Sequence, residues 1–212
     1  MAVIVVDYGS GNLKSAAKAL MAAAQGTGAE INVTADPDAV RRADRILLPG
    51  VGAFADCKRG IEAHSGLIEA LNEAVIKQGR PMLGICVGMQ LMATTGIEYG
   101  EHAGLDWIKG KVVRLAPADP ELKIPQIGWN DLKTPDEPHP VLKEVSAGTD
   151  LYFVHSYHFV AERDADVLAR IDYGGPVVAA IGRDNMVGVQ FHPEKSQTAG
   201  LRLLANFLEW RP

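Results

Sequence analysis

The chain has 212 residues, of which 47% are hydrophobic and 22% are charged, and its formal net charge is −5 at pH 7. This composition excludes a mainly disordered protein, and the acidic balance argues against nucleic-acid binding, which favours strongly basic domains. Two cysteines, Cys57 and Cys86, are too few for a disulfide framework, so we expect a reducing, cytoplasmic location. The length suits one domain over residues 1–212.

Two apolar stretches have the hydrophobicity of targeting or membrane segments. The run 2–6 has no basic residues before it and ends at Asp7, so it does not predict a signal peptide. The uncharged stretch 81–97 contains a proline, glycines and polar residues, which favours a buried soluble core over a membrane span. We therefore expect no contact with a membrane.

The first half of the chain alternates short apolar runs with helical patterns. Strands are predicted at 3–6, 30–34, 45–48 and 81–85, and helices at 13–24, 53–64, 67–78 and 89–94. Short apolar strands separated by helices are typical of parallel strands that are covered on both faces.

The second half is rich in strand patterns and poor in helix. Strands are predicted at 111–115, 127–132, 151–160, 167–172, 177–181 and 187–191, followed by a helix at 198–210. Strands joined by turns indicate an antiparallel block, so the two halves together predict an α/β layer with a mixed or antiparallel extension.

A glycine-flanked motif, Gly84-Ile85-Cys86-Val87-Gly88, lies between a predicted strand and a predicted helix. It has the G-x-nucleophile-x-G form of a nucleophile elbow, in which a sharp turn exposes the central side chain above the sheet edge. The helix N-terminus favours the reactive thiolate of Cys86, and the Val87 amide is placed to hold an oxyanion. The same residues also fit a buried structural cysteine in a glycine-rich turn.

A nucleophilic cysteine needs a general base. Of the six histidines, His192 is the best candidate for this role. It follows the predicted strand 187–191, and Glu194 stands two residues further on. An extended backbone, which Pro193 favours in the residue before it, puts both side chains on one face. The carboxylate would then orient the imidazole, although a surface His–Glu pair at a strand end gives the same pattern.

The turn Pro49-Gly50-Val51-Gly52 directly follows another predicted strand. Amides exposed in a glycine-rich turn can bind an anion or an oxyanion. Together with Ala55 the turn also fits the dinucleotide fingerprint G-x-G-x-x-A, but no strand ending in an acidic residue follows at the required distance.

Three further patterns do not predict a site. His155 and His158 are three residues apart in a predicted strand and therefore face opposite sides, which argues against a metal pair. Cys57 lies in a helical pattern and is expected in the core. The glycine-rich segment 9–11 lacks the spacing of a phosphate-binding loop.

Taken together, these motifs resemble the class-I, or triad, glutamine amidotransferases. In that family a cysteine in a G-x-C-x-G elbow and a His-Pro-Glu segment near the C-terminus form a triad, which Cys86, His192 and Glu194 match in order. The resemblance implies a three-layer, flavodoxin-like α/β fold with a largely parallel central sheet flanked by helices and an antiparallel β extension.

Five segments resemble, more narrowly, the glutaminase subunits of imidazole glycerol phosphate synthases. They are residues 7–13, 49–54, 125–130, 152–157 and 192–196. The resemblance implies hydrolysis of glutamine through a cysteine thioester and delivery of ammonia to a (β/α)8-barrel cyclase, the heterodimer partner. That cyclase makes imidazole glycerol phosphate and aminoimidazole carboxamide ribotide in histidine biosynthesis. No metal and no organic cofactor is implied.

The resemblance also implies three further groups of site residues. The oxyanion would be held by the amides of Val51, Gly52 and Val87. Glutamine would be held by Gln90, Ser156 and Tyr157. The face toward the cyclase would include Asn12, Lys14, Trp129, Tyr152 and Lys195. Because glycine tolerates many backbone conformations, the 50–52 turn could change its amide direction when the cyclase binds its ligand.

Other functions with similar motifs stay open at this point. The nearest is the same glutaminase chemistry in a synthase of the anthranilate, GMP or formylglycinamidine type, against which segments 7–13 and 125–130 argue. A second is a cysteine peptidase or a γ-glutamyl hydrolase on a similar scaffold. A third is a binding subunit without catalysis, which a complete triad disfavours.

Overall fold

A computed structural model describes residues 1–9, 12–145 and 148–212 of the chain, so residues 10 and 11 of the segment 7–13 lie outside the described residues. The strands are β1 (Ala2–Val6), β2 (Glu30–Thr34), β3 (Arg45–Gly50), β4 (Met82–Cys86), β5 (Thr95–Ile97), β6 (Glu101–Ala103), β7 (Gly110–Arg114), β8 (Gln126–Asp131), β9 (Asp150–His155), β10 (Tyr157–Ala161), β11 (Val167–Asp172), β12 (Pro176–Arg183) and β13 (Met186–Val189). The α-helices are α1 (Leu13–Ala23), α2 (Pro37–Arg41), α3 (Phe54–Glu62), α4 (Leu67–Asn72), α5 (Val87–Gln90) and α6 (Gln197–Glu209). A π-helical turn (Glu73–Lys77) extends α4, and short 3-10 helices span Pro140–Leu142, Asp164–Asp166 and Pro193–Lys195.

The main sheet has seven strands in the order β11-β12-β13-β4-β3-β1-β2. Strands β2, β1, β3, β4 and β13 run parallel, whereas β12 and β11 are added antiparallel at one edge. Gly50 on β3 stands opposite Cys86 on β4, and Ile85 stands opposite Val189 on β13. The carboxyl ends of these three neighbouring strands therefore meet at one edge, where ligands bind in open α/β sheets.

Helices flank this sheet, as the fold class predicts. Every residue of β3 and β4 is buried, because strands covered on both faces have no side exposed to water. Helix α1 packs against α6, α4 packs against α2 and α3, and α5 packs against β3 and β4. The expected α/β class with a mostly parallel central sheet is confirmed.

The extension consists of two smaller sheets. One has the order β10-β7-β5-β6 and is mixed, because β5 pairs parallel with β7, and the other is the antiparallel ribbon of β8 and β9. Phe153 on β9 packs edge-on against Phe191, with ring centroids 5.6 Å apart. This apolar contact holds the ribbon against the chain that follows β13, the segment that carries His192.

Several predicted elements differ from the structure in their bounds. The strand predicted at 151–160 is two strands in different sheets, separated at Ser156. The helix predicted at 89–94 instead spans Val87–Gln90. Thr94, Thr95 and Gly96 have low helix propensity, and β5 begins at Thr95. Helix α2 was missed, although Asp36 caps it through a hydrogen bond to the Asp38 amide (3.0 Å), with a proline at the first helical position.

The core is continuous between the sheets. Its largest side chains with no exposed surface are aromatic: Phe54, Phe153, Phe159, Phe191 and Phe207. Within the described ranges, no helix combines the length and the apolar character that crossing a membrane requires.

Candidate active site

Cys86 ends β4 and directly precedes α5. Its backbone has φ 54° and ψ −112°, a conformation that costs a residue with a side chain about 1–3 kcal/mol and is found mainly at functional sites. The geometry is that of the predicted elbow.

The glycines on either side of Cys86 permit close backbone packing. A Cβ atom on Gly84 would lie 2.8 Å from the backbone of Gly88, and one on Gly88 would lie 1.8 Å from the carbonyl oxygen of Leu48. A Cβ atom on Gly50 would likewise lie 2.6 Å from the amide nitrogen of Gly88. Three backbone segments therefore meet at distances that only glycine allows.

His192 and Glu194 form a buried pair rather than a surface pair. Nδ1 of His192 lies 2.7 Å from Oε1 of Glu194, and both side chains are 2% exposed. The backbone of His192 is extended, whereas Glu194 lies in a short 3-10 helix. The Asn12 side-chain amide donates to the same carboxylate oxygen at 2.5 Å, so this oxygen accepts two hydrogen bonds.

Ser196 pins the turn that carries this pair. Its hydroxyl donates to the carbonyl oxygen of His192 at 2.7 Å and accepts from the amide of Tyr152 at 3.0 Å. The amide of His192 also donates to the carbonyl oxygen of Tyr152 at 2.9 Å. The backbone of β9 thus fixes where the imidazole stands.

Electrostatics favour a protonated imidazole. Burial lowers the pKa of His192, but the Cys86 thiol and the Glu194 carboxylate, which both interact with the ring, raise it more strongly, to about 9. At pH 7 the ring therefore carries a proton on each nitrogen. Nε2 is buried and has no hydrogen-bond partner among the described residues, so its proton is available for chemistry beside Cys86.

A cavity of about 520 Å³ lies over Cys86 and His192, a size that suits a small ligand. The structure brings together around it every residue expected to hold the oxyanion or the substrate, namely Val51, Gly52, Val87, Gln90, Ser156 and Tyr157. Asn12 and Lys195 also line it. Glu98 is a cavity residue that no sequence pattern indicated.

The peptide group between Val51 and Gly52, in the turn after β3, has a defined orientation. Gly52 has φ +105°, which favours glycine, and the Val51 carbonyl oxygen lies 3.4 Å from the sulfur of Cys57 as the acceptor. Cys57 is buried in α3, as expected. Because C=O and N–H of a trans peptide point in opposite directions, the Gly52 amide points away from Cys57. The oxyanion role of this turn stays a prediction.

Two buried glutamines connect the Tyr157 backbone, at the cavity wall, with Cys86. Nε2 of Gln90 donates to the Tyr157 carbonyl oxygen at 3.1 Å and to Oε1 of Gln190 at 2.9 Å. Nε2 of Gln190 lies 3.6 Å from the sulfur of Cys86 as a donor. Gln190 was not predicted, although its spacing of two residues from His192 was visible in the sequence.

His155 organises the corner between β9 and β10 and does not pair with His158. Its Nδ1 donates to the Tyr157 carbonyl oxygen at 2.8 Å, and its Nε2 lies 3.1 Å from the side-chain amide of Gln126. Burial lowers its pKa to about 4, so the ring is neutral at pH 7. It therefore supports the backbone that carries Ser156 and Tyr157.

The residues expected to face a partner fall into three places. Trp129, which is 48% exposed, packs edge-on against Tyr152 with ring centroids 5.7 Å apart, and Nζ of Lys195 lies 5.4 Å from the centre of the Tyr152 ring. Lys14 is exposed at the start of α1. Asn12 instead joins the hydrogen bonds of Glu194, as described above.

The family model for class-I glutamine amidotransferases matches residues 4–210, and the chain belongs to this family. It is 58% identical over 214 residues to imidazole glycerol phosphate synthase subunit HisH of Rhodospirillum rubrum. It is 57% identical over 213 residues to the subunit of the same name from Cereibacter sphaeroides. Both alignments cover 100% of this chain and 100% of the relative.

Solved structures of low sequence identity share the fold. A glutamine amidotransferase crystal structure has a TM-score of 0.72 at 19% identity, covering 97% of each chain. A glutamine amidotransferase from Thermotoga maritima has a TM-score of 0.68 at 16% identity, covering 99% of this chain and 96% of that one.

Proposed function

We propose that the protein is the glutaminase subunit of an imidazole glycerol phosphate synthase and releases ammonia from glutamine in histidine biosynthesis. The observation that carries the chemistry is the cavity lined by Cys86 and His192, together with the buried hydrogen bond between His192 and Glu194. The assignment to this synthase rests on 58% identity over the full chain to a subunit of that name.

The first half of the reaction uses Cys86 as nucleophile. Its thiolate attacks the side-chain amide carbon of glutamine, and the carbonyl electron pair moves to the oxygen, which the amides of Val87 and of the 51–52 turn would hold. The protonated His192 gives its Nε2 proton to the amide nitrogen. The C–N bond then breaks, ammonia leaves, and a glutamyl thioester remains.

The second half uses His192 as a base. The neutral imidazole accepts a proton from water while the water oxygen attacks the thioester carbon. The C–S bond breaks, glutamate leaves, and the thiolate beside a protonated His192 is restored. Glu194 keeps the ring in place and stabilises its charge in both halves.

The cavity supplies groups that suit the amino-acid end of glutamine. Glu98 is a carboxylate that suits an ammonium group, and one of its oxygens already accepts from the Phe54 amide at 2.7 Å. Gln90 uses both N–H groups within the protein, so its Oε1 is left for the substrate. Ser156 and Tyr157 line the same cavity.

We propose further that a (β/α)8-barrel cyclase binds as heterodimer partner and receives the ammonia. Trp129 and Lys195 are exposed and both contact the half-buried Tyr152. This group supports the face, because aromatic side chains are enriched at protein interfaces. Residues 1–212 would act as one domain, since one apolar core joins the sheets. The cytoplasmic location also stays a prediction.

Glutamate release from glutamine tests the proposal, measured for this chain alone, with a purified barrel cyclase, and with the cyclase and its nucleotide ligand. We expect a large rise with the liganded cyclase, and loss of about 10⁴-fold or more in C86A. Full activity without the cyclase, or no response to it, would support a γ-glutamyl hydrolase or a different synthase. No activity in any mixture would support a binding subunit.

A further inference from the structure

Gln190 is a buried amide directly beside the nucleophile. It follows β13, is 0% exposed, and its backbone amide donates to the Ala179 carbonyl oxygen at 2.8 Å. A buried amide requires hydrogen-bond partners for its side chain. Those partners are Gln90 and Cys86, both of which line the cavity.

The orientation of the Gln190 amide is fixed by its neighbour. Nε2 of Gln90 points one hydrogen at the Tyr157 carbonyl oxygen, which can only accept, and the other at Oε1 of Gln190. Turning the Gln190 amide over would place two NH2 groups against each other. The NH2 group of Gln190 must therefore face the sulfur of Cys86.

This contact has two physical consequences for the sulfur. An N–H donor stabilises a thiolate more than a neutral thiol, because hydrogen bonds to the charged form favour that form. A donor on a side chain with no exposed surface also restricts the position of the sulfur. Both effects act on the nucleophile without contact with glutamine.

We propose that Gln190 is a positioning residue that holds the Cys86 sulfur and stabilises its thiolate, while Gln90 fixes the direction of its amide. The inference rests on the proposed function for its role in glutamine hydrolysis. The contact with the sulfur, in contrast, can be tested in the chain alone, without glutamine and without the cyclase.

Two substitutions separate the donor from the rest of the side chain. Q190M keeps the approximate volume and removes both polar groups. Q190E keeps an oxygen that accepts from Gln90 but places a second oxygen, without a hydrogen, toward Cys86. N185L is the matched control, because Asn185 is a buried amide that donates to the carbonyl oxygens of Val75 and Arg80, away from the cavity.

The measurement is the rate at which iodoacetamide alkylates Cys86, followed by mass spectrometry across a pH series. We expect the pH of half-maximal rate to move up by about one unit in Q190M and further in Q190E, where a carboxylate faces the thiolate. N185L should lose thermal stability but keep the wild-type alkylation curve. The other titratable groups of the cavity are unchanged in all variants: Glu98, His155, Tyr157, His192 and Lys195.

An unchanged alkylation curve in a folded Q190M or Q190E would overturn the proposal, and so would an equal shift in N185L. If Q190M does not fold, Q190E still decides the question, since it keeps the contact to Gln90. Failure of the proposed function gives a different pattern, because the alkylation curve would shift in the variants while the wild type released no glutamate.

Discussion

Replacing Glu194 by glutamine keeps the size of the side chain and removes the charge beside His192. The contact between the two is 2.7 Å long and the side chains are 2% exposed, so solvent screens the pair only weakly. A hydrogen bond to a charged group contributes about 1.5–3 kcal/mol, and 1.36 kcal/mol corresponds to one pKa unit. We therefore expect E194Q to lower the pKa of His192, which is about 9, by about one to two units.

This shift should appear in catalysis as an earlier loss of activity at alkaline pH. In the proposed mechanism His192 is protonated when ammonia leaves, so the alkaline limb of kcat should move down by about one to two units, with a loss of about 2–10-fold at pH 8. The assay is glutamate release with the liganded cyclase across a pH series. E144Q serves as control, because Glu144 forms an exposed pair with Arg202 at 3.2 Å. An alkaline limb at the same pH in E194Q and wild type would refute the reasoning.

The same variant makes a prediction about stability. The folded pKa of His192 is raised from 6.5 to about 9, so the stability that this shift contributes is full below pH 6.5 and is lost as the pH rises through about 9. The difference in free energy of unfolding between wild type and E194Q should be about 1.5–3 kcal/mol below that range and smaller above it. Urea unfolding at a pH below this range and at a pH above it measures the difference in free energy. A difference that grows with pH would contradict the predicted direction.

Two further predictions concern packing and the partner. G88A should lower the free energy of unfolding by about 2 kcal/mol or more, because its Cβ atom would lie 1.8 Å from the Leu48 carbonyl oxygen; a thermal midpoint equal to that of wild type would contradict this. W129A should weaken cyclase binding by about 1–2 kcal/mol or more in calorimetry. V160A, which truncates another exposed apolar residue, should leave cyclase binding unchanged. Equal losses of affinity in both variants would contradict the assignment of the partner face.

The parts of the site that the sequence predicts are those with a local cause. The elbow at Cys86 follows from glycines whose missing Cβ atoms let β3, β4 and α5 approach each other. The meeting of Cys86 with the 49–52 turn follows from parallel strands, because neighbouring parallel strands end at the same edge. Neither inference requires knowledge of side-chain contacts. The strand before His192 was expected in the antiparallel block, whereas β13 in fact pairs parallel with β4.

The parts that escaped prediction depend on contacts between distant segments. Gln190 touches Gln90, which lies 100 residues earlier, and a glutamine between apolar residues carries no sign of such a partner. The division of the predicted strand 151–160 at Ser156 was not predicted for a similar reason. The alternating pattern of a strand continues through Ser156, and β9 and β10 are separate only because they pair with strands of two different sheets.

The pairing of His192 with Glu194 was expected for a reason that the structure modifies. Side chains two residues apart share a face in an extended strand, but here Glu194 lies in a 3-10 helix after Pro193. Tertiary contacts hold the geometry, since Ser196 links the His192 carbonyl oxygen to the backbone of β9. Lys195, between these residues, lies over the Tyr152 ring. The turn that positions the imidazole therefore also forms part of the face proposed for the cyclase.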